Sequence, residues 1–294
     1  MTQTPTEKST VVRYPFKIRA IRTAFAGLEV AAPWPASRWA LDLWCTLPGN
    51  RGRRRDDRPG AGTRSTVPLD GRDLAVESWG AGPVVYLVHG WGGWRGQLGR
   101  FVEPLTDAGF RVVGFDAPSH GDSEAGVMGA GKGNGLEFGR ALAAVAEVHG
   151  PAAAVVAHSF GCATSTVAIS DGLRVGKLIF VGPSVDPTSY LGAVGDIFGF
   201  RTRIRDFLFQ RIERLAGRPL SDFDPSTLAA RTGDPLPPTL IVHDRRDKEV
   251  PYAEGERLDA AWPNATLITT DGLGHQRILR DDDVIKQAVA FLSG

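Results

Sequence analysis

The chain has 294 residues, 42% of them apolar, and a formal net charge of +1, enough for a sizeable core and too balanced to imply a nucleic acid or another strongly charged partner. That average hides a division, because residues 1–66 hold 12 Lys/Arg against 5 Asp/Glu whereas residues 67–294 hold 22 against 28. Cys45 and Cys162 form neither a disulfide framework nor a metal-ligand spacing, the start "MTQTPTEKST" is polar, and no run of 18 apolar residues occurs. The expectation is a soluble cytoplasmic protein without metal or cofactor. Its basic arm is a solvated segment, with weak contact to a membrane surface as the alternative.

In chain order, Val11 to about Leu47 carries scattered apolar residues interrupted by Pro33 and Pro35, which predicts two short helices flanking a break. Trp34, Trp39 and Trp44 are expected to pack on the main domain. "PGNRGRRRDDRPGAGTR" then reads as a linker, which makes residues 1–66 a basic helical extension and 67–294 the main domain. "VPLDGRDLAVESWG" reads as a hairpin turning at Asp70 and Gly71. Short runs that are apolar throughout follow at 84–89, 111–116, 152–157, 177–182, 239–244 and 265–270, with helical patterns between them. Strands without alternation are covered on both faces, so the fold class is α/β with a mostly parallel, doubly wound sheet.

One interval breaks this rhythm: residues 183–238 contain no good strand. The length of that insertion marks it as a functional helical cap rather than filler. Inside it, "DIFGFRTRIRDFLFQRIERLAG" spaces Ile197, Phe200, Ile204, Phe207, Leu208, Ile212 and Leu215 as one amphipathic helix, whose plainer role is to pack on the domain surface. The glycine-rich "GVMGAGKGNG" fits GxxxxGK, but Gly133 stands where a phosphate loop needs Ser or Thr and no strand leads directly into it. It reads as the approach to a helix beginning near Asn134.

A doubly wound sheet places its working groups at the carboxyl ends of its strands. Those positions hold His89 to Gly93, Asp116, Ser159, Asp244 to Asp247, and His275 beyond the last strand. A serine, an acid and a histidine in that chain order, with "AHSFG", "HDRRDKEVP", "DGLGHQRIL", "HGWGG" and "FDAPSHGDS" at the strand ends, resemble the α/β-hydrolase family over residues 67–294. The one departure is Ala157, where the family's GxSxG elbow opens on glycine.

The resemblance implies Ser159 as nucleophile, His275 as general base and Asp247 as the acid that orients it. It implies the backbone amides of Trp91 and Phe160 as the oxyanion hole. Asp244 competes for the acid role, although the Val250-Pro251 pair follows Asp247 at the family's usual distance. Asp186 would serve in the arrangement where the acid follows the preceding strand. His158 is expected to point into helix-strand packing, His89 and His120 to belong to structural turns, and His243 to be a hydrogen-bonded core histidine. The implied activity is hydrolysis of a small-molecule carboxylic ester through an acyl-enzyme. Thioester, amide, lactone and carbon-carbon bonds and perhydrolysis stay open, as does a non-catalytic ligand- or partner-binding protein. The sequence leaves the oligomeric state open.

Overall fold

The computed structural model describes residues 15–49, 55–233 and 235–294. Its strands are β1 Thr63–Leu69, β2 Arg72–Trp79, β3 Val84–Val88, β4 Arg111–Phe115, β5 Ala152–His158, β6 Val175–Val181, β7 Thr239–Asp244 and β8 Ala265–Thr270. They form one sheet in the order β1-β2-β4-β3-β5-β6-β7-β8, in which β1 and β2 pair antiparallel, β2 joins β4 antiparallel, and the rest run parallel. The helices are α1 Phe16–Ala31, α2 Pro33–Cys45, α3 Val102–Asp107, α4 Gly135–His149, α5 Phe160–Ser170, α6 Pro187–Phe198, α7 Thr202–Ala216, α8 Leu228–Thr232, α9 Tyr252–Ala261, α10 Gly274–Arg277 and α11 Asp282–Ser293. The predicted fold class is the observed one.

The continuous apolar runs become central strands because both faces are covered. Along β5, Val155 and Ala157 join a cluster with Phe138 and Leu142 of α4 and Trp262, whereas Ala154 and Val156 join a second cluster with Leu98, Phe101, Ile285 and Leu292. Each fully buried Val, Leu, Ile or Phe contributes about 1.5–3 kcal/mol, so the two clusters rather than hydrogen bonding alone fix the strand order. The β1–β2 turn uses Asp70 at φ 50° and Gly71 at φ 76°, the paired left-handed residues of a tight hairpin.

Contact clustering divides the chain into two compact units. One comprises the chain up to Trp44 with Ser189–Ile212; the other comprises Cys45–Thr188 and Glu213–Gly294 and holds the sheet. In the first unit, Phe25 stacks on Trp39 with centroids 4.3 Å apart and meets Phe200 edge-on at 5.4 Å. Trp34 packs on Phe207 at 5.4 Å and beneath the Arg211 guanidinium at 4.3 Å. Trp34 therefore meets the insertion and Trp39 meets α1. The expected break between the first helices falls at Ala32, before Pro33.

Three local expectations change. The single amphipathic helix of the insertion is two, because Gly199 turns at φ 81° and donates back to the Gly195 carbonyl, which ends α6 before α7 starts. The first strand starts at Thr63 rather than Val67; its four leading residues are exposed and polar, which hid it. The described part of the linker is docked on the sheet-bearing unit: Arg58 bridges Asp56 and the buried Glu77, Trp94 Nε1 donates to the Arg55 carbonyl at 2.7 Å, and Arg280 holds Asp57 through both carboxylate oxygens. Its own aspartates and Glu77 supply the counter-charges that a composition reading overlooks.

Candidate active site

The topological switch point lies between β3 and β5, since the crossover from β3 leads to β4 on one side of it and the next, from β4, leads to β5 on the other. The turns after these two strands carry the His89–Gly93 segment and Ser159. Ser159 has φ 55° and ψ −124°, a left-handed backbone for a residue with a Cβ, which costs about 1–3 kcal/mol. Its N–H donates to the Val181 carbonyl at 3.0 Å, and its own carbonyl accepts from Cys162 at 3.0 Å as α5 begins. Crowding enforces the turn: a Cβ on Gly161 would lie 2.5 Å from the His89 carbonyl oxygen, and one on Gly90 would lie 3.0 Å from Ser159 Cβ. Ala157, where the elbow motif has glycine, is fully buried in the cluster beneath α4, and its methyl sits among core atoms.

His275 lies in α10 and is 5% exposed. Its Nδ1 donates to Asp247 Oδ2 at 2.6 Å, so Nε2 is the ring nitrogen turned away from the acid. Asp247 stands in the turn after β7, where Oδ1 accepts from the N–H groups of Glu249 at 2.8 Å and Val250 at 2.9 Å. Burial would raise the Asp247 carboxyl, but hydrogen bonds from His243 and His275 and the His275 charge outweigh it and hold it well below the usual carboxylate range. Gly182 gives the pair room: its φ is 54°, and a Cβ there would come within 3.1 Å of His275 Nδ1 and 3.5 Å of Asp247 Oδ2.

The competing acids have other partners. Asp244 accepts from the Thr270 hydroxyl at 2.8 Å and from the N–H groups of Arg246, Gly272 and Leu273, tying the turn after β7 to the turn after β8. Asp186 accepts from the N–H and hydroxyl of Thr188 at the start of α6. Asp247 is the carboxylate against His275.

The turn of His89–Gly93 is held by His89, fully buried, whose Nε2 accepts the Ala117 N–H at 3.1 Å and whose Nδ1 donates to the Gly90 carbonyl at 2.8 Å. The Trp91 and Phe160 rings meet edge-on at 5.4 Å and 89°. Phe160 opens α5, so its N–H is among the first four that a helix leaves without an intrahelical acceptor. Beneath the turn, Arg95 pairs with the buried carboxylates of Asp116 and Glu77. Burial raises the Asp116 carboxyl, offset in part by Arg95. A Cβ on Gly121 would fall 1.8 Å from Asp116 Oδ2, so only glycine fits that turn. In the glycine-rich stretch, Asn134 caps α4 through Leu136 N–H, and the Val127 N–H donates to Glu137.

Two further histidines lie close to the His275–Asp247 pair, and His243 is the hydrogen-bonded core histidine expected. His243 Nε2 donates to the Val250 carbonyl at 3.2 Å and stands 3.5 Å from Asp247 Oδ2, behind the acid. His158 packs from the end of β5 against α10, where its Nε2 donates to the His275 main-chain carbonyl at 3.0 Å. Both residues are apolar-run neighbours in sequence, and only the parity of their strands could have aimed them.

Residues 85–288 match the profile of the Alpha/beta hydrolase family, and the chain belongs to that family. It is 30% identical over 270 residues to a 2-hydroxy-6-oxononadienedioate/2-hydroxy-6-oxononatrienedioate hydrolase of Cupriavidus pinatubonensis (strain JMP 134 / LMG 1197), covering 73% of this chain and 90% of that protein. In fold it is similar to an esterase from Exiguobacterium antarcticum, with a TM-score of 0.59 and 17% identity over 79% of this chain and all of that one. It is also similar to a membrane phospholipase A described as a bacterial virulence factor, with a TM-score of 0.60 and 16% identity over 95% of this chain and 97% of that one. The protein is thus an α/β-fold hydrolase, and its family implies a small-molecule substrate.

Proposed function

We propose that the chain is a serine hydrolase that transfers an acyl group to Ser159 and then to water, with a carboxylic ester as substrate. The observations that carry this reading are the 2.6 Å His275–Asp247 pair and a serine held at φ 55° on the switch point of the sheet. A serine hydroxyl is a weak nucleophile at neutral pH. His275 takes its proton as the oxygen attacks the acyl carbon, and Asp247 stabilises the imidazolium that forms. The backbone N–H groups of Trp91 and Phe160 hold the oxyanion; one such donor is worth about 2.7–4 kcal/mol of barrier. His275 then protonates the leaving group, and water repeats the sequence to free the acid. Residues 183–238 are the segment we assign to substrate selection.

A second reading has the same residues cleave a carbon-carbon bond, with the His275 proton going to a leaving carbon rather than an alkoxide. It is favoured by the relative from Cupriavidus pinatubonensis and by a 2-hydroxy-6-oxo-6-phenylhexa-2,4-dienoate hydrolase of Comamonas testosteroni. The two are separated by assaying p-nitrophenyl esters of increasing acyl length against a 2-hydroxy-6-oxo-dienoate, with Ser159→Ala as control. Turnover of the esters alone supports the first reading, and turnover of the dienoate at the higher kcat/KM replaces it with the second. Turnover of neither by folded protein returns the chain to a ligand-binding role.

The described residues contain no helix long and apolar enough to cross a membrane. A weak surface contact is proposed for α1, whose Phe16 is exposed next to Lys17 and Arg19 at its start and whose Val30 is exposed near its end. Charge reversal at Lys17 and Arg19 would then weaken salt-sensitive sedimentation with anionic vesicles, and unchanged sedimentation would exclude the contact.

A further inference from the structure

His158 is the last residue of β5, and the alternation of that strand sends its side chain to the face of Ala154 and Val156, where α10 closes the end of the sheet. There its ring lies 4.5 Å from the His275 ring, tilted by 42°, and Nε2 donates to the His275 carbonyl at 3.0 Å. A carbonyl can only accept, so Nε2 carries the proton and Nδ1 is bare. Nδ1 is buried without a hydrogen-bond partner and faces Gly90, where a Cβ would lie 3.4 Å away. The side chain is 2% exposed. The charged and titratable groups acting on His158 are His275, Asp247 in the turn after β7 and His89 just after β3, and His243 stands 3.5 Å from Asp247.

We propose that His158 is a positioning residue for the general base: its N–H pins the main chain that carries His275, and its neutral ring supports the imidazolium formed when His275 takes the serine proton. The inference rests on the serine-hydrolase reading above. Burial, reinforced by the His275 charge, pushes the His158 imidazole down to about 3, so it does not take up the proton in place of His275 at neutral pH. A neutral aromatic ring beside a cation favours the charged form. The same residue that precedes the nucleophile thereby fixes the base, so one strand end sets both partners of the proton transfer.

Three variants separate the two contributions. His158→Gln keeps an N–H donor of similar reach without a ring, His158→Phe keeps a ring without the donor, and His158→Leu has neither. With the p-nitrophenyl ester the wild type turns over, His158→Leu should lower kcat by roughly 10–100-fold, the scale set by misplacing a catalytic group by about 1 Å, while KM stays nearly constant. Gln should restore most of kcat, whereas the acid limb of the kcat/KM profile should move to lower pH in Leu and Gln but not in Phe. If Leu fails to fold, the Gln and Phe variants carry the test. Equal kcat in all variants, or a uniform loss with an unmoved acid limb and no rescue by Gln, overturns the proposal. Fluorophosphonate labelling that persists in Ser159→Ala would instead overturn the serine-hydrolase reading.

Discussion

Replacing Ser159 by glycine should make the protein more stable while removing the proposed nucleophile. At φ 55° and ψ −124°, a residue with a Cβ carries about 1–3 kcal/mol of backbone strain that glycine does not. Glycine also gains about 0.5–1 kcal/mol of freedom in the unfolded chain, which offsets part of that relief. Losing a single Cβ that faces Gly90 removes little packing compared with the strain relieved. The net expectation is a gain of roughly 0.5–2 kcal/mol, or a few degrees in melting temperature for a chain of this size. Ser159→Ala is the control, since it loses the same hydroxyl and keeps the strain. Equilibrium urea unfolding of wild type, Ala and Gly variants measures the difference. A glycine variant no more stable than the alanine one refutes the argument that the elbow is held against its backbone preference.

Asp247→Asn should lower kcat by about 10⁴-fold with secondary structure intact, because the amide no longer enforces the Nδ1-protonated tautomer of His275; pre-steady-state rates and circular dichroism check both parts. Gly182→Ala should displace His275 and lower kcat at least 100-fold, since the new Cβ meets Nδ1 at 3.1 Å on a backbone at φ 54°; a variant with wild-type kcat would contradict the packing described. Stability should fall as pH drops from 6.5 to 5, because unfolded His158 takes up a proton there and the native side chain, pushed down to about 3, does not. The loss assigned to His158 is about 2 kcal/mol and should be absent in His158→Gln when urea midpoints are compared across that range. Asp247 adds nothing in that window: its depressed carboxyl gives stability above the unfolded carboxylate range, lost only as pH falls below about 4.

Much of the architecture could be read from strands buried on both faces, because continuous apolar runs such as 152–157 are unlike anything a half-exposed sheet requires. The chain order of serine, acid and histidine at strand ends was equally legible. What escaped reading depends on side-chain direction and backbone sign. The split between α6 and α7 follows from the φ of Gly199, which is silent in a helical periodicity. The strap made by Arg58 depends on Glu77, 19 residues away and wholly buried. The choice of Asp247 over Asp244 is a matter of three residues in one turn, where both carboxylates are hydrogen-bonded and only their partners differ. His158 and His243 look like strand residues, and become neighbours of the acid-base pair only when β5 and β7 lie two places apart in one sheet.

The central claim is that Ser159 forms the covalent intermediate. Intact-mass measurement after incubation with a fluorophosphonate, followed by peptide mapping, tests it directly in wild type and Ser159→Ala. One adduct per chain, located on the peptide containing Ser159 and absent from the alanine variant, is the predicted result. An adduct on another residue, or none on folded wild-type protein, would contradict the account.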